Sequence, residues 1–106
     1  MTPHDFQKTL LEAIEEGLAS LGESPKQAIL FHLENTFKLR TGDIPQNLKG
    51  FKEALESIFG PGALYLERLI LQKLCEKLNL KLPMENPDLL SNVEHLKRLL
   101  LHPGDA

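Results

Sequence analysis

The chain has 106 residues, of which 42% are hydrophobic and 25% charged, the balance of one globular domain over residues 1–106 and not of a disordered segment. A formal net charge of −3 and a pI of about 5.8 lack the basic bias of a nucleic-acid binder. No apolar run approaches the ~20 residues that a membrane span needs, and the one cysteine, Cys75, excludes an internal disulfide or a multi-thiolate zinc site.

About a fifth of the residues are leucine, Val93 is the one valine, and tryptophan is absent. Leu, Ala, Glu, Lys and Gln lose little rotamer freedom in a helix, whereas strands favour β-branched and aromatic residues. The composition predicts an all-α chain. The first residues show no basic stretch followed by an apolar one, so a secretory leader is not expected. With the lone cysteine, this gives a reducing, cytoplasmic setting as the expectation.

Five helices are predicted. Thr2-Pro3-His4-Asp5 is a helix start, with Thr2 as cap and Pro3 in the first turn, where its missing N–H is not needed. Phe6, Leu10, Ile14, Leu18 and Leu21 follow as one apolar stripe, ended by Gly22. Ser24-Pro25-Lys26-Gln27 carries a capping-box pattern for the second helix, with Ser24 as cap. Ala28, Ile29, Leu33 and Phe37 form its core stripe, and Leu30 and Phe31 widen it toward burial on more than one side. From Leu39 to Asn47 turn residues interrupt the pattern, and Ile44 is expected to pin this loop to the core. A third helix is predicted from about Asn47 to Phe59, with Phe51, Ala54, Leu55 and Ile58 on its apolar face. Gly60-Pro61-Gly62 breaks the chain and opens a fourth helix to Leu78. Its broad apolar surface predicts either a central helix or one that meets a second chain. Asn79 to Asn86 reads as a linker. A fifth helix starts at Asn86-Pro87, with a second capping box at Ser91 and a stripe of Leu89, Val93, Leu96 and Leu100, and closes at His102-Pro103-Gly104. Short connections favour a compact bundle of antiparallel neighbours.

No constellation carries chemistry. His95 and His102 share a helical face, but a zinc site needs three or four converging ligands. His32 and Glu34 are two residues apart and point in different directions. Cys75 sits in an apolar helical context, where a thiol behaves as a small hydrophobe. The carboxylates Glu12, Glu15 and Glu16, and likewise Glu53 and Glu56, fall on polar faces. Gly60-Pro61-Gly62 lacks the glycine fingerprint and lysine of a phosphate loop. Neither catalysis nor a metal or cofactor is expected. Lys38, Arg40, Lys49 and Lys52 surround the central loop and form the one basic cluster a nucleic acid could use, without a polar recognition helix beside it. Leu99, Leu100 and Leu101 cannot all face one groove at 100° per residue, so at least one is exposed or covered by a partner.

The ordered segments Ser24-Pro25-Lys26-Gln27-Ala28-Ile29, His32-Leu33-Glu34-Asn35, Asp43-Ile44-Pro45, Phe51 with Ala54 to Gly60, Gly62-Ala63, Leu66-Glu67 and Ile70 resemble a small, mostly archaeal, uncharacterised helical "output domain" family (the Nitrosopumilus output domain type). The resemblance covers residues 11–78 and departs from the family at Pro25 and Pro61. Residues 79–106 stand as a C-terminal extension. It implies an all-α domain with a role in signal output and supplies no catalytic residues.

The resulting expectation is a non-catalytic interaction or regulatory module that docks through apolar helix faces, first with a second copy of itself as a homodimer, or with another protein. Leu69, Leu71, Leu99 and Leu101 are its candidate contacts. The alternative is a nucleic-acid-binding regulator that uses Lys38, Arg40, Lys49 and Lys52.

Overall fold

A computed structural model describes residues 2–81 and 88–101. Among these residues the chain forms five α-helices and no strand: α1 (Pro3–Ala19), α2 (Glu23–Thr36), α3 (Leu48–Phe59), α4 (Ala63–Leu78) and α5 (Leu89–Leu101). Two 3-10 turns, Thr41–Gln46 and Gly60–Gly62, join α2 to α3 and α3 to α4. The expected linker at Pro83, the start at Asn86-Pro87 and the close at His102-Pro103-Gly104 lie outside the described residues.

The central pair is α1 and α4. The predicted stripe of α1 is buried at Phe6, Leu10, Ile14 and Leu18, and Ala13 and Gly17 extend it along a second edge. Gly17 is the point of closest approach. A Cβ there would stand 2.6 Å from Ile70 Cγ1 and 3.3 Å from Ile70 Cα, so only a glycine lets the two backbones meet. Lys77 of α4 ties the outer edge of this pair by ion pairs to Glu12 and Glu16, which gives the acidic cluster on α1 a structural partner.

The broad apolar surface of α4 is used within the chain. This helix touches α1, α3 and α5, and Ala63, Leu66, Ile70, Leu71, Leu74 and Cys75 are all buried. Leu71, expected at an interface with a second chain, is fully buried in the core. Helix α2 is the reverse case. It contacts α1 and the first 3-10 turn and buries Ile29 and Leu33 alone. Residue 31 lies 200° around the helix from residue 29, so Phe31 faces away from the core and is 69% exposed, against the expectation of burial on several sides.

The caps explain the boundaries. Thr2 Oγ1 accepts from the Asp5 amide at 3.1 Å, as the sequence predicts. Helix α2 does not use the predicted capping box: it begins one residue before Ser24, with Gly22 at φ 112° as cap and no side-chain cap bond. Ser24 and Pro25 sit inside the first turn, and Gln27 Nε2 donates to Glu23 Oε1 at 2.9 Å. Asn47 Oδ1 accepts from the Gly50 amide at 3.1 Å and starts α3. Ile44 is fully buried and anchors the first 3-10 turn, joined by Leu39 and Pro45. Gly60 takes φ 60°, ψ −134° between α3 and α4, a conformation open to glycine at little cost.

Helix α5 lies against α3 and α4 through Leu89, Val93 and Leu96. Its cap is Asp88, whose Oδ2 accepts from the Ser91 amide at 3.1 Å and from the Ser91 hydroxyl at 2.6 Å. Ser91 therefore donates to the cap where the sequence predicts that it is one. A second acceptor comes from α4: Glu67 Oε1 takes the Leu89 amide at 3.2 Å. Lys52 of α3 stands 3.5 Å from Asp88 Oδ1 and 3.2 Å from Glu56 Oε1, so one cation bridges the start of α5 to α3.

Candidate functional site

Helix α2 leaves an open apolar groove where it diverges from α3. The groove has a volume of about 440 Å³ and is lined by Leu21, Pro25, Ala28, Ile29, His32, Ile58 and Phe59. Its geometry follows from local sequence. Gly22 turns the chain between α1 and α2 and leaves Leu21, the last member of the α1 stripe, 38% exposed at the mouth. Gly60 ends α3 directly after Phe59, which is also 38% exposed. Ala28 presents only a methyl group, so the α2 wall is low.

Further large apolar side chains are exposed on α2 and at the start of α4. Phe31 lies one turn beyond Ala28, which also lines a second depression, of about 490 Å³, at Phe31. Leu64, 49% exposed, and Tyr65, 62% exposed, lie in the first turn of α4. With Leu21, Phe31 and Phe59 they make five of the six large hydrophobic side chains exposed among the described residues, and Leu99 on α5 is the sixth. Single exposed leucines are ordinary, whereas gathered ones mark a surface that gains from being covered.

Of the four predicted contacts, Leu71 belongs to the core, Leu69 and Leu101 are half-buried, and Leu99 is 52% exposed. None of the four lines the groove. Phe31, Leu21 and Phe59 are the exposed side chains at or next to it, and the sequence held a signal for Phe31 in its position opposite Ile29. Lys38, Arg40 and Lys49 are exposed around the first 3-10 turn. Lys52 is drawn away into its ion pairs with Glu56 and Asp88. The hydrogen bond to Glu56 raises its pKa, burial opposes this, and the charges of Asp88, Glu56 and Glu67 add to the rise.

Among the described residues, no three His, Cys, Asp or Glu side chains converge as a metal site. His32 Nδ1 lies 3.1 Å from Thr36 Oγ1, and its ring meets Phe37 edge-on at 5.5 Å. Burial pushes the Cys75 thiol above its ordinary pKa, the opposite of what thiolate chemistry needs. No helix among the described residues is long and apolar enough to cross a membrane. Comparison with known proteins finds no matching family model, no matching curated relative and no matching solved structure.

Proposed function

We propose that this protein is a non-catalytic interaction module that pairs with a second copy of itself through the groove between α2 and α3. The observation that carries this reading is a concave apolar groove with an exposed aromatic, Phe31, one turn along α2 from it, Ala28 lining both the groove and the depression at Phe31. A two-fold contact joins the same patch on both copies, so Phe31 of each copy can enter the groove of the other. Charge does not oppose the arrangement: the rim on α2 carries Glu23, Lys26 and Glu34, a mixed set without a strong field of one sign. The resemblance to a signalling output family supports a regulatory role in the cytoplasm, with the assembled face as its output.

Burying one phenylalanine side chain contributes about 1.5–3 kcal/mol, and a symmetric contact does so twice. Removing Phe31 from both copies therefore weakens association by two to four powers of ten. The test is self-association measured on the unaltered protein, on Phe31→Glu and on Leu99→Glu. Loss of the dimer in Phe31→Glu alone supports the groove. Loss in Leu99→Glu alone moves the contact to α5, and a monomer throughout overturns self-pairing.

A further inference from the structure

A glutamate lies on α4 where the start of α5 meets it, at a stripe position where a leucine would be expected. Glu67 shares the stripe of Ala63, Ile70 and Leu74 on α4 and is the one charged residue among the buried side chains of the described residues. Its exposure is 0%. Oε1 accepts the first amide of α5, from Leu89, at 3.2 Å. Oε2 is buried and has no hydrogen-bond partner among the described residues. Beside it, Asp88 caps the same helix end.

We propose that Glu67 is a proton-sensitive latch: its neutral carboxyl holds the start of α5 on α4, and loss of the proton loosens α5 while the α1–α4 pair stays closed. A carboxylate sealed from water with one oxygen unpaired is expensive, and neutralisation is the usual relief. The ionisable groups that act on it are Lys52 and Glu56 of α3 and Asp88 at the start of α5. Burial raises its pKa most strongly, the Leu89 amide and Lys52 pull it down, and Asp88 and Glu56 push it up again; the balance is a raised pKa. When α5 leaves, Glu67 meets water and returns toward its ordinary value. The docked state therefore holds the proton more firmly. Docking is strongest below the ordinary carboxylate range and weakens as pH rises through the raised value. Asp88 works in the opposite sense, since its pKa is lowered, but its titration is complete at lower pH. The latch is separate from self-pairing, because none of Glu67, Asp88, Leu89 and Lys52 lines the groove between α2 and α3.

The experiment has two arms on the full chain. Carbon-detected NMR follows the Glu67 carboxyl of the unaltered protein with pH. Hydrogen exchange compares Val93 and Leu96 in α5 with Leu10 and Ile14 in α1, for the unaltered protein and Glu67→Gln, which keeps an acceptor for the Leu89 amide. The expected result is a Glu67 titration above the ordinary carboxylate range. Through that titration, α5 protection falls by up to tenfold per pH unit, α1 protection holds, and the α5 dependence vanishes in Glu67→Gln. The two proteins differ at residue 67 alone, so pH effects common to both cancel in the comparison. A Glu67 titration within the ordinary range, or the same α5 profile in both proteins, overturns the proposal. The first arm and the α5–α1 comparison need no variant, so they decide the matter even if Glu67→Gln folds poorly.

Discussion

Gly17→Ala should destabilise the protein, although alanine is the better helix former. At residue 17 the added methyl would lie 2.6 Å from Ile70 Cγ1 and 3.3 Å from its Cα, where carbon pairs prefer about 3.5–4.0 Å. The second distance is to backbone, so a rotamer change at Ile70 cannot relieve it fully and the two helices must part. Overpacking of this kind costs about 1–3 kcal/mol. The helix-propensity gain of alanine over glycine, up to about 1 kcal/mol, opposes it. The net loss of up to about 2 kcal/mol corresponds to a fall in Tm of up to roughly 16 °C for a domain of this size. Circular dichroism melts and urea titrations should agree on the loss. In an Ile70→Ala background, where Cγ1 is gone, the part of the Gly17→Ala penalty owed to the side chain should disappear while the part owed to the Ile70 backbone remains, as a double-mutant cycle would report. A Gly17→Ala protein at least as stable as the parent would refute the close approach of α1 and α4.

Lys38, at φ 57°, pays the left-handed penalty of about 1–2 kcal/mol, so Lys38→Gly should leave stability unchanged or raise it by up to about 1 kcal/mol after the entropic cost of glycine, read from the urea midpoint. Asp88→Ala should remove about 0.5–2 kcal/mol of capping, seen as faster exchange in α5. For the Asp88 pKa, burial pushes up, but the Ser91 hydrogen bonds and Lys52 outweigh it and hold it low; its contribution is present above the ordinary Asp range and lost as pH falls through the folded value, so the variant should also show a flatter acid limb. Leu71→Ala should cost about 2–5 kcal/mol as a cavity in the core, whereas Leu69→Ala should cost far less because its side chain is only half-buried; denaturant midpoints of the two variants check the contrast.

Most of the fold is legible in residue spacing, because a stripe of period 3.6 needs only one neighbour to bury it. The Phe6-to-Leu18 stripe, the Phe51 face of α3 and the Leu89–Val93–Leu96 face of α5 are all found in the core. Ile44 anchors its loop for the same reason: it is an isolated apolar residue between turn residues. What spacing does not convey is how many neighbours a helix has. Consecutive apolar residues surround α2 and α4 alike, yet α4 lies between three helices and α2 at the edge. Leu71 therefore goes inside and Phe31 outside. Local cap signals also compete: Ser24 offers a capping box, but the chain turns at Gly22 and the helix starts earlier. Glu67 was readable by register alone, since it shares a stripe with Ala63, Ile70 and Leu74, but its role requires the Leu89 amide from 22 residues away. The groove depends on the divergence of two helices and has no signature in either one.

The central claim is tested most directly by light scattering of the unaltered protein across a wide concentration range, beside Phe31→Glu. The unaltered mass should rise from 11.9 kDa toward twice that value with concentration, while Phe31→Glu stays at the lower mass and melts with the parent at dilutions where both are monomers. A mass of one chain at every concentration, or a dimer that survives Phe31→Glu, would contradict it.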